Sequence, residues 1–176
     1  MKKLTFALLL MTVFSSAALA QSSVIKINLF SPIVRTFNVA YEKVIKKDAS
    51  FQTGFFYTGY QDSGNISYQG FGITPEYRKY VSDSDAPVGV YFAPFVRFQN
   101  FTLKNEFGDK GTLTTLGAGL VVGKQWIFKQ KFSLDGFVGP SFSGGKVKTT
   151  SGNSFDVSGG LNGFGVRLGL TLGLAF

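Results

Sequence analysis

Residues 162–176 alternate without a break. Phe164, Val166, Leu168, Leu170, Leu172, Leu174 and Phe176 fall on one face of an extended chain; Gly163, Gly165, Arg167, Gly169, Thr171, Gly173 and Ala175 fall on the other. Successive side chains of a strand point to opposite sides, so one side here is hydrocarbon and the other is glycine, hydroxyl and one guanidinium. A sheet closed on itself in water would turn the hydrocarbon inward. One whose outer solvent is lipid must turn it outward and keep the small, polar side for a narrow interior. The run ends in an aromatic with its apolar face unbroken, and it predicts the second arrangement.

The opening residues predict export. Met1, Lys2 and Lys3 form a positive start, residues 4–14 an apolar run, and residues 15–20 a small-residue stretch closing in Ala18, Leu19 and Ala20. This is the pattern of a secretory signal with an Ala-x-Ala cleavage site after residue 20. Its apolar core is shorter than the roughly 20 residues a membrane-spanning helix needs. Two segments are therefore expected, a cleaved signal over 1–20 and one barrel domain over 21–176. The formal charge of +8 includes Lys2 and Lys3, so loss of the leader leaves +6. With no cysteine in the chain, disulfides and a lipoprotein anchor are both excluded.

After the leader no window repeats apolar residues at helical spacing. Eight strands are expected at 23–30, 35–45, 50–60, 67–81, 88–103, 112–128, 132–144 and 161–176, giving an all-β, closed, antiparallel, up-and-down eight-stranded transmembrane β-barrel. The connections 46–49, 82–87 and 129–131 are short, whereas 61–66, 104–111 and 145–160 are longer and polar. Outer-membrane barrels show this alternation, with short turns on the periplasmic side.

The same pleat runs through the middle of the chain. Phe71, Ile73, Pro75 and Tyr77 oppose Gly70, Gly72, Thr74, Glu76 and Arg78, and Val90, Phe92, Pro94, Val96 and Phe98 oppose Tyr91, Phe95, Arg97 and Gln99. Leu116, Ala118, Leu120 and Val122 oppose Thr115, Gly117, Gly119 and Gln125; Leu134, Val138 and Phe142 oppose Asp135, Gly139 and Ser141. Phe37, Val39 and Tyr41 oppose Glu42, while Ile25 and Ile27 oppose Lys26. Seven charges thus fall on the interior face: Lys26, Glu42, Glu76, Arg78, Arg97, Asp135 and Arg167. Buried charge is tolerated when paired, so these are expected to form an ion-pair network that plugs the lumen. A narrow ion or water path is the functional alternative. Pro75, Pro94 and Pro140 cannot donate to a ladder, and bulges are expected at them. Trp126 and Phe128, followed by Lys129 and Lys131, suit an interfacial belt with basic flanks.

On these residues the chain resembles the small eight-stranded outer-membrane barrels, the class that includes the OmpA transmembrane domain, OmpX and OmpW. In that class the last strand carries a signal for the barrel-assembly machinery, and the resemblance assigns that role to Leu168, Leu170, Leu172, Leu174 and Phe176, with leucine at 174 where many members have tyrosine. It implies location in the outer membrane of a Gram-negative bacterium, and as partners outer-membrane lipids, the assembly machinery during insertion, and other outer-membrane proteins in a stable complex.

Catalysis is not expected. The chain has no histidine, and the barrel enzymes of that membrane use a histidine as base. No cofactor is expected, and without histidine or cysteine no transition-metal site. Asp83 and Asp85 sit in a Ser/Asp/Pro cluster that suits a turn better than calcium, and residues 106–111 suit a hairpin loop. The basic excess does not indicate nucleic acid. The function expected is that of a non-enzymatic integral outer-membrane barrel, a structural or accessory subunit of an outer-membrane assembly; the alternatives are a small pore for ions or hydrophobic solutes and a secreted barrel that holds a lipid inside.

Overall fold

The computed structural model describes residues 23–60, 67–104, 109–151 and 163–176. The expected leader, the polar connection 61–66, residues 105–108 of the connection at 104–111 and residues 152–160 of that at 145–160 lie outside the described residues. Eight strands run in chain order: β1 Ser23–Asn28, β2 Thr36–Lys46, β3 Ala49–Tyr60, β4 Ser67–Tyr80, β5 Gly89–Lys104, β6 Lys110–Phe128, β7 Phe132–Ser151 and β8 Gly163–Ala175. One turn of 3-10 helix, Ser31–Val34, links β1 to β2. Each strand pairs antiparallel with the next, and the ring closes between β8 and β1 from Val24↔Ala175 to Asn28↔Thr171. Beyond the last pair, Phe176 N–H donates to Ser23 O at 2.9 Å and Ser23 N–H to Phe176 O at 3.1 Å.

The register sets the bore. From Val24 it runs through Glu42, Gln52, Glu76, Phe95, Gly119 and Ser141 to Gly165, whereas the direct partner of Val24 on β8 is Ala175, ten residues further along. This stagger tilts the strands, and eight tilted strands enclose a space that side chains can fill. Ser23, Phe176 and the connections 47–48, 81–88 and 129–131 share one end, called proximal below; the 3-10 turn lies at the distal end.

The distribution of polarity is the reverse of that of a water-soluble protein. Phe164, Phe142, Leu168 and Val166 are 70, 64, 62 and 61 % exposed on the outer wall, while Glu42, Arg78 and Asp135 inside are 0 % exposed. Two apolar clusters share the lumen with the charges. One joins Tyr80, Tyr91, Ala93, Phe95 and Val121; the other joins Phe101, Leu103 and Leu113, with Phe56, Tyr68 and Val147 against them.

Glycine lets the wall come close where the interior is fullest. A Cβ on Gly139 would stand 1.9 Å from Leu120 O, a backbone atom that cannot move aside.

Two expectations are corrected. The prolines make gaps, not bulges: the β4–β5 register keeps the same phase past Pro75 and Pro94, with pairs absent between Ile73↔Phe98 and Glu76↔Phe95 and between Glu76↔Phe95 and Lys79↔Phe92. Pro140 likewise leaves a gap between Gly119↔Ser141 and Val122↔Val138 without a shift. Each proline still pairs on its other side, with Thr53, Leu120 and Val166. A strand residue turns its N–H toward only one neighbour, so a proline there opens one seam and leaves the other intact. The register shifts fall elsewhere, at Val44/Lys46 and Lys110/Gly111.

The second correction is at β7, which continues to Ser151 through a stretch expected to be loop, with Val147 paired to Leu113. There the outward residues are Lys146 and Lys148, so the apolar alternation that marks a strand is missing although the ladder persists.

Candidate functional site

Six of the seven interior charges meet toward the proximal end of the lumen. Lys26 Nζ lies 2.6 Å from Glu42 Oε2 and 3.0 Å from Asp135 Oδ2, and donates to Gln125 Oε1 at 2.6 Å. Arg78 donates through Nε to Glu76 Oε1 at 2.6 Å and through Nη1 to Asp135 Oδ2 at 2.7 Å, with Glu42 Oε2 at 3.7 Å. Arg167 Nη1 lies 2.5 Å from Glu76 Oε2. The cluster therefore draws on β1, β2, β4, β7 and β8, strands from all sides of the ring.

Neutral side chains complete it. Tyr80 OH donates to Glu42 Oε1 at 2.6 Å, Tyr91 OH donates to Asp135 Oδ1 at 2.8 Å, and Ser50 Oγ donates to Glu42 Oε1. The Arg78 guanidinium stands 4.3 Å from the Tyr91 ring centre, within cation–π range. Alternation already turns Gln125 and Tyr91 inward, but a search for charges passes over them. Tyr91 helps fill the lone-pair sites of a buried carboxylate, whereas Gln125 serves the cations, its Oε1 accepting from Lys26 Nζ and Arg78 Nη1.

Arg97 is the exception among the seven. It lies toward the distal side of the cluster, its Nε donates to Thr74 Oγ1 at 3.1 Å, and among the described residues no carboxylate lies within salt-bridge distance of it. The nearest candidate, Glu76, already holds Arg78 and Arg167. Four interior cations face three carboxylates, and the uncompensated charge sits on Arg97.

Distal to the cluster the lumen opens into a cavity of about 550 Å³. Arg97 and Arg167 line it together with Phe56, Phe101, Phe137 and polar side chains including Asn38, Gln52, Gln99 and Thr171. Both guanidinium groups approach the Phe95 ring, with Arg167 Cζ 4.5 Å and Arg97 Cζ 5.7 Å from its centre, and Arg167 Cζ is 4.8 Å from that of Phe137.

The other nominated residues are on the wall. Leu168, Leu170, Leu172, Leu174 and Phe176 form the outward face of β8 and its end. Trp126 and Phe128 are exposed at the proximal end of β6, with Lys124 Nζ 5.2 Å from the Trp126 ring centre. In the β2–β3 turn Asp48 accepts from Lys79 Nζ, and this hydrogen bond holds the Asp48 carboxyl below its ordinary range. Among the described residues no group of three or more His, Cys, Asp or Glu side chains could hold a metal ion, and no helix is long and apolar enough to cross a membrane.

A family profile described as "Protein of unknown function (DUF3575)" matches residues 4–172. No curated protein matches the chain. Among solved structures, the crystal structure of the N-terminal β-barrel domain of Pseudomonas aeruginosa OprF is similar, at 17 % identity and a TM-score of 0.46 over 89 % of this chain and 98 % of that one.

Proposed function

The chain belongs to the DUF3575 family, whose description is a protein of unknown function, and on that premise we propose that it is an integral β-barrel of a Gram-negative outer membrane with its lumen closed by the ion-pair cluster. The observation that carries this reading is the outer wall: large apolar side chains cover it while carboxylates and guanidinium groups are buried inside. In water such a wall would aggregate, whereas in a bilayer it is what the hydrocarbon requires. Lys43, Lys79 and Lys124 are outward charges in the proximal parts of β2, β4 and β6, where long side chains reach the headgroups.

The closed lumen rests on the same cluster. Lys26, Glu42, Arg78 and Asp135 are at most 1 % exposed and bridge strands from opposite sides. A barrel sealed in this way is a scaffold, not a channel, and its work is binding or anchorage, as a structural or accessory component of the membrane. No catalytic role follows from the cluster, since its groups are held in mutual pairs with no free base beside a nucleophile.

Reconstitution into planar bilayers tests the reading. The parent protein is expected to be silent, and an Arg78→Ala, Lys26→Ala double variant, which removes the two cations at the centre of the cluster, is expected to give discrete conductance steps. Steady ion conduction by the parent would refute the sealed lumen. Recovery of the mature protein from the aqueous phase without detergent would refute the membrane reading itself.

A further inference from the structure

We propose that the distal cavity is a binding site for a small organic anion, a carboxylate on an apolar or aromatic body, with Arg97 as its primary anchor. Three features of the lumen converge on this ligand. The first is charge: Arg97 is half-buried on the lumen wall with only Thr74 Oγ1 as a polar partner among the described residues, beside a second guanidinium that has one carboxylate to share with Arg78. Two neighbouring cations with a deficit of carboxylate make a positive field at the floor of the cavity, and a carboxylate presents to each guanidinium the paired oxygens its fork of N–H groups fits.

The second feature is size and lining. A cavity of about 550 Å³ lies within the range of small-molecule sites and far exceeds what one inorganic anion fills. It presents the rings of Phe56 and Phe101 distal to the two arginines and that of Phe137 beside Arg167. An apolar body attached to the carboxylate would bury these faces, which a hydrated ion could not.

The third is a set of unmatched polar atoms. Gln52 Oε1 and Thr171 Oγ1 are buried on the cavity wall with no hydrogen-bond partner among the described residues. Buried polar groups are normally paired, so a ligand hydroxyl would donate to Gln52 Oε1 and a second carboxyl oxygen would accept from Thr171 Oγ1. The ion-pair cluster forms the floor, so the ligand enters and leaves without crossing the barrel. In that one respect the inference rests on the sealed lumen proposed above, but conductance and binding are measured separately and fail separately.

The test uses the full mature protein in lipid nanodiscs and 4-fluorobenzoate as probe, followed by fluorine NMR line broadening. Saturable binding is expected, with 4-fluorobenzamide, the neutral isostere, at least about tenfold weaker, because a charged hydrogen bond is lost. Arg97→Gln is expected to weaken benzoate binding about tenfold, Arg97→Lys less, and Ala40→Phe, which fills the cavity from β2, to abolish it. Lys47→Ala removes an equal charge from the proximal surface and is expected to change nothing. Laurate added to the nanodiscs distinguishes the source: displacement of the probe would assign the same carboxylate subsite to a bilayer-derived acid, and no displacement to a water-borne one. Equal binding of benzoate and benzamide, undiminished binding by the Ala40→Phe variant, or no saturable binding would each overturn the proposal, and the first of these needs no variant to fold.

Discussion

Asp135 shows how a single residue holds the interior together. It accepts at once from Lys26, Arg78 and Tyr91, so its charge is compensated from three strands. Asp135→Asn keeps the shape and removes the charge, leaving two cations with less than their due of carboxylate. Breaking a buried pair in this way costs about 3 to 5 kcal/mol, and urea unfolding in vesicles, followed by the fluorescence of Trp126, is expected to register a loss of that order. Arg97→Gln offers the opposite expectation in the same assay. Arg97 has no ion pair among the described residues to lose, so its removal is expected to leave stability unchanged or raise it. At this scale the sequence was informative about charges and silent about their neutral partners. Alternation alone turned Lys26, Glu42, Arg78 and Asp135 inward, because period two decides the face. It could not say that Arg97 would stand apart, because which cation reaches which carboxylate depends on the stagger between strands, and no single strand carries that information.

The strands were legible wherever the wall is apolar and lost where it is not. The apolar stretch of β6, from Leu116 to Val122, announces itself, whereas the distal end of β7 carries lysines outward and reads as loop although its ladder with β6 continues. The β6–β7 turn is the converse: it is expected at 129–131 and found there, although Lys129 and Gln130 both adopt left-handed backbone with φ of 49° and 58° without the glycine or asparagine that usually marks such a turn. The prolines give the elements unequal strength. Pro75 and Pro94 both interrupt the β4–β5 seam, which no other pair of strands suffers twice among the described residues. Amide hydrogen exchange is therefore expected to be fastest, among the central strand residues, at 74–78 and 93–97. Protection there equal to that of the β5–β6 seam, whose ladder is continuous from Gly89↔Gln125 to Lys104↔Lys110, would show that the gaps are closed in solution.

At the scale of the whole molecule the barrel has two surfaces of opposite polarity, an apolar outer wall and a charged, polar interior. The closed eight-stranded ring followed from the strand count and the inverted alternation. The distal cavity did not, because a void is defined by what eight strands jointly fail to fill. The inversion makes opposite predictions for adjacent residues of β6. Leu120 faces outward at 46 % exposure, between Ala118 and Val122 on the apolar band, whereas Val121 beside it is fully buried against the inner cluster. Arginine at position 120 would be set in hydrocarbon near the centre of the band, at a cost of about 2 to 4 kcal/mol for a midplane position. In a water-soluble barrel the same exposed site would accept arginine within about 0.5 kcal/mol. Urea titration of Leu120→Arg in vesicles separates the two cases, and the discrimination does not depend on the interior, because the substituted side chain never enters it. A loss of 2 kcal/mol or more is the expected result. A change within the smaller limit would mean that water, not lipid, lies against this wall, and the sealed membrane barrel would have to be abandoned even though the ring of eight strands stood.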